Sequence, residues 1–197
     1  MAFNKPSGLL SVPGIGPDKQ DCLAARAASM YPGARIVHRL DRDTSGVIVL
    51  ALDADTHREL SRQFEARETS KRYVALGWGH AREDHGTIDL PLRKRELGSA
   101  LQIVDHELGR SAVTRWRVLE RLDGPARTRF ELAPVTGRSH QLRVHLKELG
   151  HPILGDDLYG DEAVRAAADR LCLHASFLEV THPGLGGRMR FEAPAPF

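Results

Sequence analysis

Three short segments carry the side chains best suited to chemistry, and the first is the polar run at residues 38–46, His-Arg-Leu-Asp-Arg-Asp-Thr-Ser-Gly. It directly precedes an apolar stretch at residues 47–52, and loops held by a rigid strand often carry catalytic groups. Asp41 lies between Arg39 and Arg42, whose positive charges favour an ionised carboxylate. Such a carboxylate can act as a nucleophile or form a structural ion pair, and residue types alone leave both interpretations open.

The same run partly matches a calcium-binding loop. Asp41, Asp43, Ser45 and Gly46 fall at positions one, three, five and six of such a loop, as its pattern requires. The twelfth position needs a bidentate glutamate, but here it is Leu52, inside the apolar stretch. The sequence therefore argues against calcium.

The second segment, residues 136–145, reads Thr-Gly-Arg-Ser-His-Gln-Leu-Arg-Val-His and leads from a glycine turn into a predicted helix. A helix start offers unpaired backbone N–H groups, and together with Arg138 these predict an anion cradle. His140 and His145 are five positions apart, which is poor spacing for zinc on one helix face. Taken alone, polar capping of an amphipathic helix explains the segment equally well.

The third segment, residues 70–74, reads Ser-Lys-Arg-Tyr-Val and begins a predicted strand. Neighbouring side chains of a strand point to opposite faces, so Arg72 and Tyr73 face opposite ways. Tyr73 is either a core residue or a phenol beside two cations, and both interpretations stay open.

Hydrophobic patterning indicates the elements that position these segments. Predicted helices cover residues 20–30, capped by Asp18, residues 139–149, ended by Gly150, and a stretch after Asp53 or Asp55 with Leu60 and Phe64 on one side. Predicted strands cover residues 47–52, 72–78, 111–121, 128–132, 171–180 and 188–191, and residues 4–8 form a predicted turn. Many strands with few helices between them predict an α+β fold, with a mainly antiparallel central sheet and flanking helices.

The composition limits the class of protein. With 197 residues, 41% hydrophobic and 27% charged, the chain has the length of one folded domain and is unlike a disordered or fibrous protein. No apolar run approaches the roughly 20 residues of a membrane-spanning helix, and no signal segment opens the chain, so we expect a cytoplasmic protein. Cys22 and Cys172 lie in apolar surroundings without metal-binding spacing, which predicts unpaired core thiols.

The net charge of +2 is unevenly distributed, with +3 over residues 101–150 and −3 over residues 151–197. Of the 28 basic residues, 23 are Arg, whose planar fork suits phosphate and stacks on bases. A coding bias toward Arg explains this composition equally well. Charge alone therefore leaves a nucleic-acid partner open.

Taken together, the motifs resemble those of the RluA-type family of RNA pseudouridine synthases. The resemblance rests on six ordered motifs that span nearly the whole chain: Asn-Lys-Pro-Ser-Gly-Leu-Leu at 4–10, the run at 38–46, Lys-Arg-Tyr-Val-Ala at 71–75, Gly-Arg-Ser-His-Gln-Leu-Arg-Val-His at 137–145, His-Pro-Ile-Leu-Gly-Asp-Asp-Leu-Tyr-Gly at 151–160 and Leu-Cys-Leu-His-Ala at 171–175. The opening and the Pro-Ala-Pro-Phe end look most like the small RluA branch, whose members resemble enzymes acting on both ribosomal and transfer RNA.

The resemblance implies isomerisation of uridine to pseudouridine in RNA, without a metal or organic cofactor. It implies the pseudouridine synthase fold, whose mixed, mainly antiparallel central sheet carries a catalytic cleft. By position, Asp41 matches the catalytic aspartate, Tyr73 the active-site tyrosine, and Arg143 the arginine that pairs with the aspartate. The expected partners are stem-loops of 23S ribosomal RNA, of the tRNA anticodon arm, or of both.

A base that reacts at a ring carbon must leave the stack, and we expect the Arg39 guanidinium to fill the gap. The expected RNA-binding residues are Arg39, His38, Arg42, Lys5, Lys71, Arg138, His140 and Gln141, of which Lys5, Arg42, Lys71 and Arg138 are candidates for phosphate contacts. We expect a monomer with one catalytic domain over residues 1–197 and no N-terminal S4-like RNA-binding domain.

The start of the chain departs from the family, and two other functions compete with the isomerase. Only three residues precede Asn4, where family members usually have additional residues that include a strand. Either the sheet lacks an edge strand there, or the start site is misassigned. Two other functions compete with the enzyme: a non-catalytic RNA-binding relative, and a metal-dependent hydrolase built on Asp41, Asp43 and the histidines. The intact Asp41, Tyr73 and Arg143 favour the isomerase.

Overall fold

A computed structural model describes residues 1–197, and the chain is a mixture of short helices and longer strands. The strands are β1 (Ala2–Lys5), β2 (Arg35–Ile36), β3 (Ser45–Ala51), β4 (Ser70–Trp78), β5 (His85–Asp89), β6 (Leu92–Lys94), β7 (Gln102–Val104), β8 (Val113–Leu122), β9 (Arg127–Pro134), β10 (Leu173–Thr181) and β11 (Arg188–Glu192). The helices are α1 (Leu23–Met30), α2 (Ala54–Glu65), α3 (Gln141–Glu148) and α4 (Glu162–Ala166), and Pro17–Lys19 forms a 3₁₀ turn. The predicted α+β class is confirmed.

The chain divides into two compact units. Unit 1 contains residues 1–71 and 174–197, and unit 2 contains residues 72–173. No helix in either unit has the length and apolar character needed to cross a lipid bilayer. The thiols of Cys22 and Cys172 are buried and unpaired, as predicted.

Unit 1 is organised around β3, in which every residue is buried. β1 and β2 pair with β3 antiparallel, β10 pairs with it in parallel, and β11 pairs antiparallel with β10. One apolar cluster joins Val47 and Val49 of β3 to Leu178 and Val180 of β10, and Leu60 of α2 covers it. The Asp53 side chain caps α2 by accepting from the Thr56 N–H at 2.8 Å, which confirms one of the two predicted caps.

Unit 2 is built on the antiparallel strand order β4-β9-β8-β5, with β6 and β7 as a separate hairpin. A β-bulge between Val118 and Glu120 shifts the register of β8 against β9. α3 packs Val144 against Leu92 and Ala112. Helix α3 is therefore fixed on the same unit as Tyr73, which lies opposite Leu132 in the β4–β9 ladder.

Several predicted elements differ from the structure. Residues 2–5 form β1, so the turn predicted at residues 4–8 begins later. α1 begins at Leu23 with Cys22 as its cap, because the Cys22 Sγ accepts from the Ala25 N–H, so Asp18 is not the cap. β5, β6, β7 and α4 were not predicted, since each is five residues or shorter and too short to show a periodic pattern.

Gly46, at the start of β3, generates a stability prediction. Its φ is 113°, and an added Cβ would lie 2.2 Å from the backbone oxygen of Ala175 on the neighbouring strand. Gly46→Ala should therefore lower the free energy of unfolding by about 3 kcal/mol and the thermal midpoint by roughly 6–12 °C. Gly187→Ala, where the added Cβ meets nothing within 4 Å, is the control. Equal midpoints for the two variants would contradict the prediction.

Candidate active site

Asp41 is half-buried in the loop that leads into β3, and the peptide groups around it are held by side chains from the N-terminal segment. The Ser11 hydroxyl donates to the Leu40 oxygen at 2.7 Å and accepts from the Leu40 N–H at 3.1 Å. The Lys5 ammonium donates to the Arg42 oxygen at 2.8 Å, and the Ser7 hydroxyl donates to the Asp43 oxygen at 2.7 Å. The backbone on both sides of Asp41 is therefore fixed.

Lys5 is the charged member of this arrangement and has 0% of its surface exposed. Besides the Arg42 oxygen, its ammonium donates to the backbone oxygens of Pro6 and Leu9 at 3.0 and 2.6 Å. A buried ammonium is tolerated when its donors are satisfied in this way. The predicted phosphate contact of Lys5 is therefore wrong, because the side chain faces the interior and braces the Asp41 loop.

The end of the loop is fixed by a buried pair, Ser45 and His174, which lie opposite each other in the β3–β10 register. The His174 Nε2 donates to the Ala193 oxygen at 3.1 Å, so in the neutral ring the Nδ1 accepts from the Ser45 hydroxyl at 2.7 Å. The close approach of β3 and β10 at Gly46 lets this pair form. His174 therefore belongs to the support of the loop.

His38, predicted to bind RNA, is also part of the fold. Its Nε2 accepts from the Val49 N–H at 3.1 Å, and its ring stacks on Phe64 with centroids 4.3 Å apart. Burial, with a smaller contribution from Lys71, lowers the pKa of His38 to about 3. A neutral ring already bonded to a strand supports the fold, and the RNA contact of the half-buried His38 stays a prediction.

The cations that flank Asp41 differ from each other. Arg42 is exposed and pairs with Asp43, with its Nε 3.0 Å from the carboxylate. Arg39 is exposed and makes no hydrogen bond or ion pair. Its guanidinium is therefore available to a ligand without first leaving a carboxylate.

Tyr73 and Lys71 lie on β4 and are both half-buried. A fully buried core position, the alternative left open for Tyr73, does not describe a side chain with this exposure. The pKa of the Lys71 ammonium is lowered by burial and, less strongly, by Arg67. The strand thus presents a phenol and a cation at positions that solvent partly reaches.

Arg143, on α3, has only 2% of its side chain exposed and is held by two carboxylates. Its Nε and Nη2 donate to the two oxygens of Asp156 at 2.9 and 2.5 Å, and Nη2 also donates to Asp157 at 2.9 Å. The guanidinium therefore has a defined orientation inside unit 2. Asp41 belongs to unit 1, and its pairing with Arg143 stays a prediction.

Part of the predicted anion cradle at the start of α3 is taken by the Gln141 side chain. Gln141 is buried, and its Oε1 accepts from the Arg138 N–H at 3.0 Å and from the Thr136 hydroxyl at 2.7 Å. Its Nε2 donates to the Val113 oxygen and to the Thr114 hydroxyl, both at 3.0 Å. The RNA contact predicted for Gln141 is therefore wrong, because all its polar atoms serve the fold.

His140 and Arg138 lie closer to the surface. His140 has a left-handed backbone (φ 53°), and its Nδ1 lies 2.7 Å from the Tyr159 hydroxyl. Arg138 is half-buried, and its Nε donates to the Ser111 oxygen at 3.1 Å. Neither side chain is enclosed, so both remain candidates for RNA contacts.

Sequence reasoning missed the residues that hold Arg143, which are Asp156, Asp157 and Tyr159. They belong to the motif at residues 151–160, but the sequence assigned them no role. The available signal was two adjacent carboxylates between Gly155 and Gly160. An added Cβ at Gly155 would lie 2.0 Å from the Arg170 oxygen, so this turn is pressed against backbone where only glycine fits.

Comparison with known proteins relates this geometry to a family. The family model described as RNA pseudouridylate synthase matches residues 1–148. The dual-specificity RNA pseudouridine synthase RluA of Yersinia pestis is 50% identical over 197 residues, which cover 100% of this chain and 95% of the relative. The RluA of Escherichia coli strain K12 is 51% identical, over 100% of this chain and 90% of the relative. The chain belongs to the RluA family of RNA pseudouridine synthases.

Solved structures agree with this assignment. Human RNA Pseudouridylate Synthase Domain Containing 1 superposes with a TM-score of 0.82 at 32% identity, covering 100% of this chain and 80% of that one. Human RNA Pseudouridylate Synthase Domain Containing 4 superposes with a TM-score of 0.77 at 26% identity, covering 99% and 85%. Pseudouridine synthases are isomerases, so the enzyme class expected for this RluA-family chain is confirmed.

His38 predicts how the stability of this RluA-family protein depends on pH. Its folded-state pKa of about 3 lies below the ordinary value of 6.5, so between these values the unfolded state binds more protons. The free energy of unfolding should therefore fall by about 1–2 kcal/mol between pH 7 and pH 5 on account of His38. Burial lowers the pKa of His145 as well, which adds to the fall in the same direction.

The contribution of His38 can be isolated with His38→Gln, which keeps an acceptor for the Val49 N–H but does not titrate. Urea unfolding followed by circular dichroism at pH 7 and pH 5 measures both proteins. The variant should lose less stability than the wild type over this range. An identical loss would mean that His38 does not titrate as described.

Proposed function

We propose that the protein isomerises specific uridines to pseudouridine in stem-loops of 23S ribosomal RNA, of the tRNA anticodon arm, or of both, with Asp41 as the nucleophile. The observation that carries this proposal is the bracing of the Asp41 loop by Lys5, Ser7 and Ser11. A carboxylate whose neighbouring peptide groups cannot move is held ready to attack one point in space. Two RNA classes fit the dual specificity named for the relatives.

The reaction exchanges one bond for another within the nucleotide. The bond from C1′ to N1 breaks, a bond from C1′ to C5 forms, the C5 proton leaves and N1 gains a proton. The atoms balance without an oxidant, a reductant or a group donor, in keeping with the expectation of no cofactor. The Asp41 carboxylate holds one fragment during the exchange, by attack at C1′ or at C6, or assists formation of a glycal.

Tyr73 and Arg143 complete the proposed catalytic set. A half-buried phenol on β4 can stack against the uracil and lie within reach of the proton that moves. Arg143, as the expected partner of Asp41, keeps that carboxylate ionised and oriented, since a positive neighbour favours the charged form. The rigid hold on Arg143 within unit 2 suits this role.

RNA binding is assigned to the cations that the fold leaves near the surface. These are Arg39, Arg42, Lys71 and Arg138, with His140 as a further candidate. Double-stranded RNA is recognised mainly by shape and phosphate contacts, and specific bases are read where they are unstacked, so stem-loops are the expected form of the substrate. We further propose that the protein acts as a monomer in the cytoplasm and without a metal.

Asp41→Asn tests the nucleophile. The amide keeps the size of the side chain but cannot attack, so tritium release from RNA labelled at uridine C5 should fall to background. Transcripts of tRNA and of 23S rRNA fragments, offered separately with a chelator present, identify the RNA class. Asp55→Asn, on the exposed first turn of α2, should retain wild-type release.

The outcomes of this assay separate the competing functions. Release by Asp41→Asn at the wild-type rate would remove Asp41 as nucleophile. A folded wild-type protein that binds RNA but releases no tritium would point to a non-catalytic RNA-binding protein. Loss of wild-type release on adding chelator would favour the metal-dependent alternative.

Arg39→Ala tests how the flipped base is replaced. Because the exposed Arg39 guanidinium makes no ion pair, its loss removes a stacking group without exposing an unpaired carboxylate. We expect either the Kd for a stem-loop RNA to rise or the tritium-release rate to fall, by about 10-fold, in line with about 1–3 kcal/mol per stacked base. The control is Arg58→Ala, which removes an exposed arginine of α2. If Arg39→Ala matched it in both affinity and rate, Arg39 would not fill the gap.

A further inference from the structure

The buried pair of Arg143 and Asp156 is the best-defined ionic contact in unit 2. Arg143 has 2% of its side chain exposed and Asp156 has 1%. Asp156 takes the Nε and Nη2 of Arg143, which together form one edge of the guanidinium. Because the guanidinium is planar, holding one edge also sets the direction in which its opposite edge points.

Asp156 is itself bonded to the turn that carries it. Its Oδ1 accepts from the backbone N–H groups of Leu158 and Tyr159, both at 3.0 Å, in addition to Arg143. The turn that carries it is bounded by Gly160, where an added Cβ would lie 2.8 Å from the backbone oxygen of Asp156. Because the carboxylate is bonded to its own turn, it fixes the arginine relative to that turn.

The face of the guanidinium is constrained as well. The Cζ of Arg143 lies 5.2 Å from the centroid of the Tyr159 ring, in cation–π geometry. The Tyr159 hydroxyl accepts from the Gln102 N–H at 2.9 Å, so the ring is fixed at its far end. Asp156 sets the in-plane direction of the guanidinium, and Tyr159 sets its plane.

The opposite face of α3 prevents the helix from turning to relieve these contacts. Gln141 and His145 are four residues apart and share the Thr114 hydroxyl, which accepts from Gln141 at 3.0 Å and lies 2.9 Å from the His145 Nδ1. The His145 Nε2 donates to the Leu90 oxygen at 3.1 Å. α3 is thus tied to the sheet on one side and, through Arg143, to the Asp156 turn on the other.

We propose that Asp156 is a positioning residue for the isomerisation, which acts by holding the Arg143 guanidinium in one orientation. This inference rests on the proposed function, in which Arg143 orients the nucleophile. Asp157 is the lesser of the two carboxylates because half of its side chain is exposed, whereas that of Asp156 is buried. An exposed ion pair contributes little, whereas a buried bidentate pair sets geometry.

Two substitutions of Asp156 separate orientation from charge. Asp156→Asn keeps an oxygen for the Leu158 and Tyr159 N–H groups but loses an acceptor for the Arg143 edge. Asp156→Glu keeps the charge and displaces the carboxylate by one methylene. Both should lower kcat for tritium release by about 10- to 100-fold with KM for RNA within about threefold of wild type, because misplacement of a catalytic group lowers the rate more than binding. Asp161→Asn, the cap of α4, is the matched control in the same segment.

A double-mutant cycle with Arg143→Lys tests whether Asp156 acts through Arg143. Lysine keeps the charge but lacks the fork, so orientation by Asp156 no longer matters. In that background Asp156→Asn should cause little further loss of kcat, whereas a merely structural residue would cause the same loss in both backgrounds.

The wild-type protein provides a readout that does not depend on folding of any variant. In ¹⁵N spectra, the Nη groups of Arg143, assigned by their loss in Arg143→Lys, should give separate signals because the held guanidinium does not rotate. A single averaged Nη signal would overturn the inference. So would a folded Asp156→Asn or Asp156→Glu whose kcat stays within twofold of wild type, or additive losses in the cycle.

Failure of the proposed function gives a different pattern. If Arg143→Lys itself kept wild-type kcat, the catalytic role of Arg143 would fall, and the role of Asp156 with it. If Arg143→Lys were inactive while folded Asp156 variants were active, only the inference on Asp156 would fall.

Discussion

The structure depends on holding the backbone on both sides of Asp41, and the buried Lys5 ammonium is the charged group that does this, together with the hydroxyls of Ser7 and Ser11. Burying a charge is costly unless every donor finds an acceptor, and Lys5 finds three backbone oxygens. β1 places it there, because the antiparallel register sets Lys5 opposite Gly46 at the start of β3. A four-residue strand thus brings a cation beneath the loop that precedes its neighbour. The first residues of the chain act in this way as a support for Asp41.

Each unit contains one buried cation that is tied to its own backbone or to a nearby carboxylate. In unit 1 it is Lys5, and in unit 2 it is Arg143 with Asp156. Buried charges of this kind give little net stability, since desolvation offsets the attraction, but they restrict geometry because the alternatives leave a charge unpaired. For an isomerisation that uses only the groups of one nucleotide, the protein contributes mainly position and charge. The placement of these two cations is consistent with that demand.

The contrast between Asp53 and Asp156 shows how far the sequence could go. Asp53 could be predicted as one of two possible caps because the N–H group that it accepts from is only three residues away, and sequence spacing indicates such local contacts. Asp156 meets Arg143 across a turn and a helix, and no periodicity records that contact. Gln141 shows the converse error, since a polar side chain in a polar run suggested a ligand. The fold uses Gln141 internally, because its side chain donates to the Val113 oxygen and the Thr114 hydroxyl of β8.

The structure separates the arginines of this chain into those that pair with its own carboxylates and those that do not. Many arginines neutralise acids of the same chain: Arg62 spans Glu59 and Glu68, Arg117 pairs with Glu131, and Arg188 and Arg190 share Glu179. Such pairs offer little net field to a phosphate backbone, because each cation already faces an anion. Arg39 differs, since it is exposed and makes no ion pair two residues before Asp41. Attraction for RNA therefore depends less on how many arginines the chain has than on which of them its own carboxylates leave uncompensated.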